Sequence, residues 1–323
     1  MAEISGLRNL IHPMPRLRRV VRSIRWLGWM LKIWWSPNRI FLTTFPGHFY
    51  SPLPDLAELE SDHNRILEYA RACLPGIDLD ATGQIELANR LLRYVDEFPF
   101  ALAPTQGHRY YLANSYFTGG DAYGIYAMLR EFRPSRIIEI GSGFSSAAML
   151  DVNGLFLDGR TRFTFIDPEP QRLLSLLGQA DSATVEVISK RIQDVPIELF
   201  SQLQENDILF VDSSHVSKVG SDVGHIAFEI LPMLKPGVLI HFHDIFWPFE
   251  YPKGWVTAGR AWNEAYLLRA FFQYNKSFKI VLFLSYLENH YPALARRLAP
   301  PGTVLNQVSE YNGGSSLWLR KIC

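Results

Sequence analysis

The stretch RIIEIGSGFSSAAML, residues 136–150, opens with an apolar run, turns through two glycines and continues into residues suited to a helix. A strand, a glycine turn and a helix in immediate succession begin a βαβ unit. Similar β-prone runs recur downstream at RFTFID (162–167), TVEVIS (184–189), DILFVD (207–212), GVLIHFHD (237–244), FKIVLFLS (278–285) and SLWLRK (316–321), with helix-compatible stretches between most of them. That alternation predicts an α/β fold with a doubly wound, mainly parallel sheet covered on both faces. In such sheets ligands bind beyond the carboxyl ends of the strands, where the strand order reverses. The residues standing there are Glu139, Gly141 and Gly143; then Asp167; then Asp212, with His215 close behind; and then His243 and Asp244. A single Asp at a strand end is ordinary turn chemistry. Acids at four ends of one sheet point to a site.

The glycine loop narrows the ligand. A dinucleotide turn requires G-x-G-x-x-G, and here the third glycine is replaced by Ser146. The tight turn and the close backbone approach survive, and Asp167 ends the next strand, where a carboxylate can accept ribose hydroxyls. An adenosine ligand without a pyrophosphate fits this pattern. With EIGSGFSS (139–146), FIDPEP (165–170), DILFVDSSH (207–215) and LKPGVLIHFHD (234–244), the sequence resembles the class I S-adenosylmethionine-dependent methyltransferases over roughly residues 105–323. The pattern VDSSH…HDIFWPFEYP followed by GRAWNEAYLLRAFFQYN (259–275) is similar to a bacterial family associated with glycan or secondary-metabolite pathways.

The resemblance implies a seven-stranded Rossmann-like sheet with a reversed last strand and S-adenosyl-L-methionine as cofactor. It places Gly141, Ser142 and Gly143 under the methionine part, with Glu139 supporting the loop. It gives Asp167 to the ribose, Gln193 and Asp194 of KRIQDV (190–195) to the adenine border, and Asp212 to the neighbourhood of the reacting methyl. Asp121, in GGDAYGIY (119–126), reads as a helix N-cap that could approach the amino end of the cofactor.

Methyl transfer to a hydroxyl needs alignment and a proton acceptor. His215, His243 and Asp244 are the catalytic candidates, because histidine titrates near neutral pH. His241, two residues from His243 on the same strand, reads as a core histidine. In metal-dependent relatives acids at these strand ends hold a divalent cation, so Asp212 and Asp244 are candidate ligands for magnesium or manganese. After the fifth strand, FWPFEYPKGWVTAGRAWNEAY (246–266) supplies Trp247, Phe249, Tyr251, Trp255 and Trp262 for an acceptor pocket, with Glu250, Arg260, Asn263 and Glu264 as polar contacts. Tyr110, Tyr111 and Asn114 are candidates to close the same cavity.

The sequence therefore reads as an O-methyltransferase acting on a small molecule or glycan precursor. Two alternatives are an iron oxygenase using His215, His243 and Asp244, and a cofactor-binding module without turnover, held at a membrane. Lysine plus arginine balances aspartate plus glutamate at 32 each, which offers nucleic acid no bulk attraction. Cys73 and Cys323 lie far apart without metal spacing, as expected of a reducing, cytoplasmic setting. The domain reading is a basic amphipathic segment at 1–45, a helical cap region at 46–118 and the methyltransferase domain at 119–323. Within the first, RLRRVVRSIRWLGWMLKIWW (16–35) is too interrupted by charge to span a bilayer, which takes about 20 apolar residues. It suits an interfacial helix on an anionic membrane or one docked on the protein's own core.

Overall fold

Arg136–Ile140 forms β1, and every residue after Arg136 is buried, as a strand covered on both faces requires. The computed structural model describes residues 47–66, 73–298 and 314–323. The basic segment and the start of the proline-rich stretch after it lie outside the described residues. Contacts divide the chain into two compact units, Met1–Glu58 and Leu59–Cys323, and the second contains the whole sheet.

The other strands are β2 (Arg162–Ile166), β3 (Val185–Ile188), β4 (Ile208–Val211), β5 (Leu239–Phe242), β6 (Phe278–Phe283) and β7 (Leu317–Lys321), one for each apolar run in the sequence. They form one sheet in the order β3-β2-β1-β4-β5-β7-β6. The first five strands in that order are parallel, and β7 runs antiparallel to both β5 and β6. The chain order reverses between β1 and β4, so the ligand crevice belongs there.

Register sets what stands at that crevice. Ile140 pairs with Ile166 on one side and with Val211 on the other, and Val211 pairs with Phe242. The residues one step beyond are Asp167, Gly141, Asp212 and His243, which therefore form a row along the carboxyl edge. Backbone bonds continue the ladder into that row, from Gly141 N to Ile166 O (2.9 Å), Asp212 N to Ile140 O (2.9 Å) and His243 N to Val211 O (2.9 Å). With neighbouring strands roughly 4.8 Å apart, their backbones span about 15 Å.

Ala81–Leu91 is helix α1, Gly119–Phe132 is α2, and Phe144–Phe156 is α3. Residues Gly120–Leu129 of α2 are all buried, so this helix is enclosed rather than amphipathic. Two features depart from the sequence reading. Helical structure does not fill residues 55–118: from Phe98 to Thr118 the chain is a loop. Asp151 on α3 pins that loop by accepting the backbone N–H groups of Arg109 (2.7 Å) and Tyr110 (2.9 Å), while the Arg109 guanidinium bridges Asp151 and Asp181. Asp121 is not an N-cap either. Thr118 holds that position, and Asp121 lies inside α2, where it accepts Ser315 N (2.9 Å) and the hydroxyls of Ser315 and Ser316. An acid at this point ties α2 to the start of β7.

Candidate active site

The turn after β1 explains the missing third glycine. Ser146 accepts the N–H of Gly143 (3.0 Å) and donates its hydroxyl to Glu139, while Ser145 donates to the other oxygen of the same carboxyl. Serine thus does locally what a glycine would do by small size: it holds the helix start against the strand. Glu139 has no exposed surface. Burial, joined by the charges of Asp212 and Asp167, pushes its carboxyl up to about 8 despite the two serine hydrogen bonds. Gly141 has φ +81°, and a Cβ on it would lie 2.0 Å from the carbonyl oxygen of Asp212. The turn tolerates only glycine there.

Around that turn lies a cleft of about 690 Å³. Ser142, Gly143 and Ser145 line it from the turn and α3; Asp212, His215, His243 and Asp244 from the strand ends; and Phe246, Trp255, Arg260 and Trp262 from the segment after β5. Asp167 stands beside this lining. Its Oδ2 accepts the backbone N–H (3.0 Å) and hydroxyl (2.8 Å) of Ser142, and its Oδ1 accepts Glu169 N (2.8 Å). A carboxylate offers about four acceptor positions, so this one keeps room for a further donor. Gln193 and Asp194 are engaged elsewhere, with the Gly220 carbonyl and the Arg191 guanidinium respectively, and do not line the cleft.

His215 sits among three carboxylates. Its Nδ1 is 2.9 Å from Glu264, and its Nε2 is 3.3 Å from Asp212 and 3.9 Å from Asp244. Burial opposes its charge, but hydrogen bonds and attraction from Asp212 and Glu264 prevail and push the imidazole up to about 10. The residue has φ +58°, held by its own carbonyl accepting the N–H groups of Asn263 (3.0 Å) and Glu264 (3.2 Å). Asp244 also has positive φ (+57°), and such strained backbone clusters where a site demands it. Burial raises the Asp244 carboxyl above the usual range against the pull of His243 and His215. Asp212 goes the other way: burial opposes its charge, but His243, His215 and Arg172 hold its carboxyl low. More than a third of the Asp212 side chain (36 %) is open, so this anion faces the cleft.

His243 lies 3.6 Å from Asp244, and its Nδ1 is buried without a hydrogen-bond partner. Despite burial, Asp244, Asp212 and Asp121 raise its basicity. His241 is enclosed as expected, stacked on Phe210 at 3.9 Å, and burial drives its imidazole well below the ordinary value. Among the described residues, no group of three or more His, Cys, Asp or Glu is placed to hold a metal ion.

The aromatic segment divides. Trp247, Phe249 and Tyr251 are core, whereas Trp255 and Trp262 face the cleft with Arg260. Glu264 is buried behind His215, Asn263 braces the backbone of Ser217, and Tyr110 and Asn114 are buried in the 98–118 loop, both bonded to the Phe117 carbonyl. Their neighbours Ser115–Thr118 reach the cleft instead. Arg172 also lines it, 3.7 Å over the Tyr116 ring, as does Ser315, which donates to Asp244 (3.0 Å). Arg172 and Ser315 carry no motif in the sequence and are placed here only by folding.

Residues 138–245 match a family described as a methyltransferase domain. An uncharacterised protein of Archaeoglobus fulgidus is 35 % identical over 166 residues, covering 50 % of this chain and 75 % of that protein. Among solved structures, the O-methyltransferase TomG from Streptomyces achromogenes, in complex with S-adenosylmethionine, is similar at a TM-score of 0.39 and 14 % identity, over 82 % of this chain and 96 % of that one. A putative methyltransferase from Thermobifida fusca is similar at 0.40 and 16 %, over 82 % and 89 %. Strand order and the β1 turn define a Rossmann-like methyltransferase domain. The chain carries a methyltransferase domain of the class I S-adenosylmethionine-dependent kind.

Proposed function

We propose that the protein methylates a hydroxyl group of a small molecule or glycan precursor, with the strand-end row as the floor of its active site. The supporting observation is the register that aligns Asp167, Gly141, Asp212 and His243 beside a cleft lined by acids and tryptophans. The residues fit the cofactor: the Gly141 turn has no room for a side chain, Gly143 opens its backbone to the cleft, and Asp167 retains an acceptor for a ribose hydroxyl. When bound, S-adenosylmethionine supplies a methyl carbon already activated by its sulfonium. The Asp212 carboxylate faces that region and favours positive charge there. A hydroxyl acceptor would give up its proton as it is methylated, and groups at the strand ends would receive it.

Asp244 is our choice for that proton, with His243 beside it. Both nitrogens of His215 face carboxylates, so this residue has no free lone pair and serves to hold Asp212 and Asp244 in place. The same geometry bears on the metal reading: an ion shared by Asp212 and Asp244 would compete with the His215 N–H. It also disfavours the oxygenase, whose iron needs lone pairs from both histidines. Loss of turnover on exhaustive chelation, restored by magnesium or manganese, would return the metal to the mechanism. The free thiols of Cys73 and Cys323 suit a cytoplasmic setting. No helix among the described residues is long and apolar enough to cross a membrane. Contact through residues 16–35 is tested by partition of the full chain onto anionic vesicles.

The deciding experiment is calorimetric titration of the full chain with S-adenosylhomocysteine and, separately, with NAD. Binding of the first and not the second is expected. Preference for the pyrophosphate nucleotide sinks the reading.

A further inference from the structure

The cleft holds acids and two arginines, of which Arg172 acts on Asp212 at the sheet end. Asp212, Asp244 and Asp121 crowd its sheet end, and Arg260 stands on the wall formed after β5. The backbone places this arginine firmly: Lys253–Thr257 forms a short helix, Gly259 turns the chain at φ +98°, and Arg260 N donates to the Trp255 carbonyl (3.1 Å). The guanidinium then lies 4.0 Å from the Trp255 ring and 5.0 Å from the Trp262 ring. Contact with two indoles that stand at 85° to each other orients the cation but satisfies none of its N–H groups.

Arg109, Arg130 and Arg191 each end on a carboxylate, whereas Arg172, the other arginine of the cleft, lies over the Tyr116 ring with its charge felt by Asp212. Among the described residues Arg260 has no carboxylate partner, although it lines a cleft otherwise rich in acids. Trp262 is the shared wall. It contacts the His215 ring at 4.3 Å and the guanidinium at 5.0 Å. The cation and the group that positions Asp212 and Asp244 therefore share one neighbour on the wall of the same cleft.

We propose that Arg260 is the specificity residue of the acceptor site, and that the acceptor is a hydroxylated ring bearing an oxyanion, a carboxylate or a phosphate, which Arg260 receives. This inference rests on the methyltransferase reading of the site. The ring occupies the cleft between these walls, its anion reaches the N–H edge of the guanidinium, and its hydroxyl points to Asp244. Reversed binding is disfavoured, because it would bring the anion against Asp212 and Asp244. Guanidinium pairs with planar oxyanions through two parallel N–H donors, which gives orientation as well as affinity.

The test loads the full chain with S-adenosylhomocysteine and titrates matched probes by calorimetry: 3,4-dihydroxybenzoate against 3,4-dihydroxybenzyl alcohol, and glucose 6-phosphate against glucose. At least one anionic probe is expected to bind about tenfold or more tighter than its neutral partner, the scale of a hydrogen-bonded charge. R260Q removes that preference, and R260K restores part of it. Which pair discriminates separates carboxylate from phosphate. S-adenosylhomocysteine binding is measured on the same samples. Its absence in the wild type would overturn the parent reading. Binding of it with no discrimination between partners, or with discrimination that survives R260Q, would overturn this inference alone.

Discussion

Replacing Glu139 by Gln changes the pH dependence of stability in a direction the structure dictates. The carboxyl is fully enclosed, and its folded-state value of about 8 compares with 4.5 for an ordinary glutamate. Between those two values the folded protein keeps the proton while the unfolded chain releases it. Stability from this residue is therefore greatest in acid, falls as pH rises through the window, and levels off above about 8. At about 1.36 kcal/mol for each pH step inside that window, the loss between pH 6 and pH 9 comes to roughly 2–3 kcal/mol. Glutamine keeps the shape, can donate and accept as the protonated acid does, and cannot ionise. The assay is urea unfolding of wild type and E139Q at pH 6 and pH 9, so that the difference between the two proteins cancels the titration of every other group. Wild type is expected to lose about 2–3 kcal/mol relative to the variant over that range. A difference changing by less than about 1 kcal/mol would mean that Glu139 is ionised when folded, and that the turn is organised around a buried anion instead of a neutral acid.

Three further outcomes are expected from the geometry. Gly141→Ala places a Cβ on the Asp212 carbonyl in a left-handed backbone position; it is expected to lower the melting temperature by several degrees and weaken S-adenosylhomocysteine binding at least about tenfold, as a calorimeter would show. Asp167→Ala removes the acceptor for both Ser142 donors and for the ribose; cofactor affinity falls by about tenfold while turnover at saturating cofactor changes little. His215→Ala leaves the buried Glu264 carboxylate facing Asp212 without the cation between them; it costs about 3–5 kcal/mol in denaturant unfolding and lowers turnover by roughly a hundredfold, with cofactor affinity nearly unchanged. If Asp167→Ala struck turnover and His215→Ala struck cofactor affinity, the two roles would have to be exchanged.

Sequence alone carried the sheet far. Each apolar run became a strand because buried parallel strands need continuous apolar residues, and the reversed last strand agrees with the resemblance. The loop from Phe98 to Thr118 was hidden because its order comes from Asp151, a residue on a distant helix whose hydrogen bonds leave no periodic trace. The strand-end acids were legible from position. Their partners were not: Glu264 reads as a polar contact of the acceptor pocket, and only folding brings it behind His215. The aromatic segment shows the same limit. Five rings look alike in the sequence, and packing decides that Trp247, Phe249 and Tyr251 fill the core while Trp255 and Trp262 face the cleft.

The stretch from Phe246 to Trp262 is one uninterrupted piece of chain anchored at both ends, by strand β5 before it and by the helix of Glu264–Phe272 after it. A protein built this way can be retargeted like a tool with an exchangeable head. If the proposed acceptor site is right, grafting that piece from a relative is expected to change substrate preference while leaving the strand-end row in place.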